Sequence, residues 1–233
     1  MKHTIGVTAT GGGVGQSILK ALKYSHYNVI ALDGEPLGAG LYMTDKKFLI
    51  PYANSDEYIP KLLEICERES IDLLFPGMDS ELKKLAEAFY LFHERGTLVV
   101  VSSPELITLA DNKFLTNRFL HENNFPVAKT LQKISFDSIK NLPFPYILKP
   151  LSGGARSAGV FKINSIKDIP PNIDYDNYIL QEYIEGNEYT CGTITIDSEY
   201  YGCIVMRRIL RDGATYKAFV EHNTQIETLC EDV

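Results

Sequence analysis

Five short apolar runs alternate with helix-spaced segments and turns over the first hundred residues, and this alternation limits the fold more than any other feature of the chain. Ile5 to Ala9, Asn28 to Leu32, Lys47 to Ile50, Ile71 to Phe75 and Leu98 to Val101 read as strands. Between them, Val14, Ile18 and Leu22 recur at helical spacing, and Ile59, Leu62, Leu63 and Cys66 share one face of a helix from Asp56 to about Glu69. After the turn Pro76-Gly77-Met78, Asp79 or Ser80 is expected to cap a helix lined by Leu82, Leu85, Ala86 and Phe89. Strands that alternate with helices through short links imply an α/β unit with a parallel, doubly wound sheet over residues 1–103.

The first strand stops at Thr10-Gly11-Gly12-Gly13-Val14-Gly15, where a helix begins. A helix N-terminus after glycines suits a phosphate group. A Walker A loop would need glycine at position 10 and lysine at position 16, but the chain has Thr10 and Gln16, so that reading fails. A dinucleotide fingerprint built on Gly11 and Gly13 lacks its third glycine at the same Gln16, although Asp33 falls near the ribose-binding spacing. An NAD(P)-binding oxidoreductase therefore stays open as an alternative. The plainer reading is a glycine turn that lets helix and strand pack closely.

Composition removes several classes. Thirty acidic against 23 basic residues leave a net charge of −7, which argues against nucleic acid or an anionic membrane as partner. No apolar run reaches the ~18 residues needed to cross a bilayer, and the N-terminus shows no signal peptide. Cys66, Cys191, Cys203 and Cys230 are far apart in sequence and form no CxxC pair. They read as reduced core thiols of a cytoplasmic protein, with no disulfide frame and no metal site.

Beyond residue 103 the texture changes. Ser103-Pro104-Glu105 is a helix start, with a capping serine, proline at the first helical position and an acid in the first turn. Asp111 is expected to cap a second helical segment with Leu115 and Phe119 at i,i+4. Lys113 would then sit in the first turn, where the helix dipole disfavours a cation. From Tyr146 to Ile163 an apolar run ends on Lys149 and Pro150, and a loop with Ser152, Gly153, Gly154, Arg156, Ser157 and Gly159 leads into a second strand. Such glycines let main-chain N–H groups approach an anion, and Lys149 and Arg156 would add positive charge. Thr190 to Ile196 and Tyr201 to Leu210, joined by Asp197-Ser198-Glu199, look like an antiparallel hairpin, and Arg207, Arg208, Arg211 and Lys217 form a basic cluster.

Taken in order, these segments resemble the ATP-grasp ligases, and the resemblance covers essentially the whole chain. Residues 1–103 resemble the Rossmann-like domain that precedes the ATP-grasp fold in carbamoyl-phosphate synthase large-chain-type and carboxylate–amine ligases. Asp111-Asn112-Lys113, Phe125 to Thr130, Ile147-Leu148-Lys149-Pro150 with its glycine loop, and Gln181 to Glu188 are similar to the linker helix, first lid strand, phosphate-covering segment and adenine hinge. The resemblance implies a helical linker at 104–125, a lid subdomain at 126–189 and the start of an incomplete α+β large subdomain at 190–233. It also implies ATP-dependent activation of a carboxylate as an acyl phosphate, followed by attack of an amine or similar nucleophile. Lys113 and Lys149 would meet the phosphates, with Ser152, Gly153, Gly154, Arg156 and Ser157 closing over them. On the hinge Gln181, Glu182, Tyr183 and Ile184 would hold adenine, through the Glu182 carbonyl and the Ile184 N–H, and Glu188 would accept the ribose hydroxyls. Arg207, Arg208, Arg211 or Lys217 would steady the transferred phosphoryl group or the acceptor carboxylate, with no choice among them.

The chain departs from the family at its metal ligands. The family places an acid and a Glu-x-Asn pattern for Mg²⁺ on later strands, and none occurs between Glu188 and Val233. These ligands are expected beyond residue 233, in a longer enzyme, so that the 233 residues bind ATP without turning over. A non-catalytic ATP-binding subunit is therefore also open. The carboxylate and amine substrates are not identified, Asp79, Ser80 and Glu81 are the first place to look for one of them, and homodimer assembly is left open.

Overall fold

A computed structural model describes residues 3–140, 142–153 and 157–233, so Gly154 and Arg156 of the expected phosphate loop lie outside the described residues. The chain divides into two units, Met1–Thr108 and Leu109–Val233.

In the first unit the five apolar runs become five parallel strands. These are β1 (Thr4–Val7), β2 (Asn28–Asp33), β3 (Lys46–Leu49), β4 (Leu73–Phe75) and β5 (Leu98–Val99), in the spatial order β3-β2-β1-β4-β5. The helices are α1 (Gly13–Leu22), α2 (Tyr58–Glu69), α3 (Asp79–Glu87) and α4 (Phe89–His93). Two-residue alternation sends Ile5, Val7 and Ala31 to one face, against Leu19 and Leu41. Ile30, Leu32 and Leu74 go to the other face, against Leu62, Ile65, Leu85 and Phe92. Each of these large side chains, once buried, contributes about 1.5–3 kcal/mol. The first strand ends at Val7, before the expected Ala9, because Ala9 adopts a φ of 45° to begin the glycine turn. Neither Asp79 nor Ser80 caps α3. Met78 holds the extended cap position and Asp79 is already helical, where its charge complements the dipole.

The second unit is entered through α5 (Pro104–Asp111), whose start is capped by Ser103 Oγ accepting the Leu106 N–H at 3.2 Å. The next helix, α6 (Lys113–Glu122), is capped by Asn112 in place of the expected Asp111. The Asn112 side chain accepts from Phe114 N–H and Leu115 N–H at 3.1 and 3.0 Å. An antiparallel sheet follows, made of β6 (Thr130–Leu131), β7 (Tyr146–Pro150), β8 (Phe161–Ile163) and β9 (Tyr178–Glu182) in the order β6-β9-β7-β8. Tyr146, Leu148, Ile163 and Leu180 pack with Ile134 and with Ile139 of α7 (Phe136–Ile139) on one face. The pleat therefore turns Ile147, Lys149, Ile179 and Gln181 to the other face. A second sheet pairs β10 (Glu188–Ile196), β11 (Glu199–Arg211) and β12 (Ala214–Val220) antiparallel, and α8 (Thr224–Asp232) lies against β11. The hairpin link is shorter than expected. Glu199 pairs with Ile196, and only Asp197 and Ser198 turn, at φ of 50° and 64°, as two-residue hairpins prefer.

Candidate functional site

Three of the residues that the sequence singled out for ATP, Lys113, Lys149 and Gln181, come together in the second unit. Lys149 on β7 and Gln181 on β9 share the sheet face away from the apolar core, and Lys149 Nζ donates to Gln181 Oε1 at 2.7 Å. Gln181 Nε2 donates in turn to Thr130 Oγ1 on β6 at 2.8 Å, which fixes the amide orientation. Lys113 reaches the segment after β7 from the start of α6: its main-chain N–H donates to Leu151 O at 2.9 Å and its Nζ to Gly153 O at 2.7 Å. Gly153 has a φ of 65°, the left-handed region that favours glycine. Lys113, Lys149, Gln181, Val127 and Ala128 line one cleft of about 360 Å³. Burial first, and then the Lys113 charge, push the Lys149 pKa down from the usual lysine range. Among the described residues Lys149 has only a neutral amide as its hydrogen-bond partner. A half-buried cation so placed can pair with an anion. Ser152 and Ser157 are exposed.

The hinge shows a feature that sequence reasoning missed. Glu182 N–H donates to Lys129 O at 2.9 Å, as an antiparallel pair requires, yet the Lys129 N–H goes to the Glu182 carboxylate at 2.9 Å. The reciprocal bond to the Glu182 carbonyl is therefore not made. The Ile184 N–H likewise donates to nothing among the described residues. A free acceptor at residue 182 and a free donor at residue 184 form an edge that can pair with a planar heterocycle. Tyr183 turns outward beneath Lys162, whose Nζ lies 3.5 Å from the ring centroid.

Register sorts the basic cluster. Glu188 pairs across the strands with Arg208, whose guanidinium takes one carboxylate oxygen, Nε at 3.0 Å. Arg207 faces the other side and binds Glu221 at 2.6 Å, while Arg211 stacks on the Tyr216 ring at 3.6 Å from its centroid. Lys217 is exposed beside the same ring. Only Arg208 is brought together with Glu188 by a direct bond.

In the first unit the glycine turn proves to be self-contained. Asp33 Oδ2 accepts the Gly11 N–H at 2.5 Å, Asp33 Oδ1 accepts the Glu35 N–H at 2.8 Å, and Gln16 Nε2 donates to Gly11 O at 2.9 Å. A Cβ on Gly15 would stand 2.5 Å from Ala9 O, so this glycine is needed for the close approach of helix and strand. Beside the turn a cleft of about 950 Å³ is lined by Gly11, Gly12, Asp33, Tyr58, Ser80 and Glu81. Burial raises the Glu81 pKa, against the lowering effect of a Thr8 hydroxyl that donates to it, and the Tyr58 hydroxyl is buried with no partner among the described residues. Asp79, named with Ser80 and Glu81 in the sequence, does not line this cleft.

A carboxyl whose folded pKa is raised binds its proton more tightly in the folded state. Its contribution is present below the ordinary carboxylate range and is lost as pH rises through the folded value. Glu81→Gln is thus expected to raise Tm more at pH 8 than at pH 5. An equal change at both pH values would show that Glu81 is not held as a protonated acid.

The cysteines need a correction. Far apart in sequence, Cys191, Cys203 and Cys230 place their three sulfurs within 4.8 Å of one another, and only Cys66 remains an isolated core thiol, pushed up to about 12 by burial. Strand pairing and the packing of α8 bring them together, and no sequence spacing carried that signal.

The model of the ATP-grasp domain family matches residues 110–233, more than half of the chain. The chain belongs to the ATP-grasp family. Residues 7–100 match the model described as PylC-like, N-terminal domain. Among curated relatives, a D-alanine–D-alanine ligase of Clostridium perfringens is 32% identical over 160 residues, 60% of this chain and 52% of that protein. The ATP-grasp enzyme fsqD of Aspergillus fumigatus is 25% identical over 49% of this chain and 21% of its own length. Among solved structures, the N5-carboxyaminoimidazole synthetase of Staphylococcus aureus complexed with ADP superposes with a TM-score of 0.74 at 17% identity, covering 100% of this chain and 62% of that one. An L-amino acid ligase from Bacillus licheniformis gives 0.73 at 13% identity, covering 99% and 58%. These structures share the fold, and this ATP-grasp chain spans between about a fifth and about three fifths of the length of these proteins.

Proposed function

We propose that the chain is the nucleotide-binding part of an ATP-dependent ligase that activates a carboxylate as an acyl phosphate for attack by an amine. The observation that carries this reading is the cleft in which Lys113 and Lys149 converge, while the Glu182 carbonyl and Ile184 N–H stand unpaired among the described residues. In it, the two lysines spread the charge of the transferred phosphoryl group and its leaving group. Ser152 and Ser157 cover the phosphates and help to exclude water from a hydrolysable intermediate. Residues 181–184 receive the adenine, and Glu188 turns its unengaged oxygen to the ribose. Arg208 is the member of the basic cluster that acts beside the nucleotide, because it shares a face with Glu188, and Arg207 and Arg211 support the sheet. In this reading residues 126–189 form the lid and residues 190–233 begin the larger subdomain. The first-unit cleft, with the unpartnered Tyr58 hydroxyl and Glu81, receives one of the substrates.

Magnesium takes carboxylate and carbonyl oxygens. Among the described residues no three His, Asp or Glu ligand atoms converge, so these residues build no cage for that ion, and in this reading Lys113 and Lys149 meet the phosphates.

Calorimetric titration with ATP, ADP and NADH tests the reading. ATP and ADP should bind with one site per chain and NADH should give no heat. Binding of NADH in place of ATP would overturn it. Gln181→Glu, which gives Lys149 a charged partner, should move the alkaline loss of ATP affinity to higher pH.

A further inference from the structure

We propose that Cys191, Cys203 and Cys230 form a binding site for a thiophilic metal ion, with zinc as the fitting divalent cation. Cys191 pairs with Val205 and Cys203 with Thr193, so the two cysteines are diagonal neighbours on one face of the β10–β11 hairpin. α8 crosses that same face and adds Cys230 from a third element. All three are free, half-buried thiols whose sulfurs lie within 4.8 Å of one another.

That arrangement matches a metal shell better than a covalent link. Zinc–sulfur bonds of about 2.3 Å at tetrahedral angles set sulfurs about 3.8 Å apart, so a shift of about 1 Å or less closes the triangle. A disulfide would join two of the sulfurs at about 2 Å and leave the third without a role. The scaffold is fixed without the ion: Asn223 caps α8 by accepting the Ile226 N–H at 3.2 Å, the Glu221 N–H donates to Val205 O at 3.0 Å, and Val205, the ladder partner of Cys191, is 2% exposed. Soft sulfur donors select zinc over magnesium. Loading exchanges up to three S–H bonds for three Zn–S bonds, releases the protons to buffer and changes no oxidation state. Three ligands leave the fourth position to water. The ion would clamp α8 to the hairpin, away from the lysine cleft.

The test uses the reduced, metal-free 233-residue chain with cobalt(II) as a spectroscopic probe in excess magnesium. One cobalt should bind per chain with a thiolate-to-metal charge-transfer band in the near ultraviolet, and zinc should displace it. Cys203→Ser and Cys230→Ser should each weaken zinc at least about tenfold against a chromophoric competitor. Cys66→Ala, in the other unit, should leave zinc affinity unchanged, and so should Lys149→Ala, which separates this site from the nucleotide reading. Because Cys230 lies on a partly exposed helix, its serine variant should keep the parent circular dichroism spectrum. Absence of the charge-transfer band in the parent chain, or a band that survives Cys230→Ser, would overturn the proposal.

Discussion

Replacing Lys149 with alanine is expected to weaken ATP binding by roughly 30-fold or more in calorimetry, equivalent to about 2 kcal/mol. Lys149 Nζ is held on a half-buried strand face by one neutral partner, Gln181 Oε1 at 2.7 Å, with Lys113 near enough to help lower its pKa. Among the described residues neither lysine is paired with a carboxylate, and the two cations repel each other until an anion arrives, so removing one deletes much of the gain from that arrival. Arginine should not restore full affinity, because its planar fork differs from the compact ammonium that Gln181 accepts. The pH dependence has two opposite signs. The lowered pKa means that Lys149 loses its proton below the usual lysine range, so ATP affinity should decline there as pH rises. In the same window the unfolded chain binds more protons than the folded one, so the stability of the free protein should rise with pH. Both trends should flatten in Lys149→Ala. Unchanged affinity in that variant would remove Lys149 from the site.

Asp33→Ala should destabilise the first unit by about 2–5 kcal/mol in urea unfolding while leaving ATP affinity within about threefold under folded conditions. Asp33 is 6% exposed, and its two oxygens accept the main-chain N–H groups of Gly11 and Glu35. Alanine leaves both donors without partners, at about 1–3 kcal/mol each. Asp33→Asn keeps an acceptor and should cost less. Gly15→Ala should act in the same direction, since its Cβ would press on Ala9 O at 2.5 Å. If Asp33→Ala unfolds at the same urea concentration as the parent, the carboxylate does not hold the turn together.

Much of this molecule was legible in its sequence because the relevant signals are local. Strand and helix periods separated the parallel unit from the antiparallel one, and Thr10 and Gln16 disqualified the early glycine turn from lysine-based phosphate binding. The helix caps were less legible. Asp111, Asn112, Asp79 and Ser80 are all plausible caps by residue type, and the choice of Asn112 and Met78 depends on where each chain segment enters its helix.

The order of residues by itself determined that this is an α/β chain of two units and that a lysine would sit at the mouth of a glycine loop. Only tertiary structure decided what those residues face. The Lys129 N–H chose a carboxylate over a carbonyl and left the hinge edge open, and strand register sent Arg208 to Glu188 and Arg207 to the opposite side. Three cysteines separated by a strand turn and a helix became neighbours. The physical reason is common to all three. Which side of a pleat a residue occupies, and what the next element lays across it, depend on pairing and packing between segments distant in sequence.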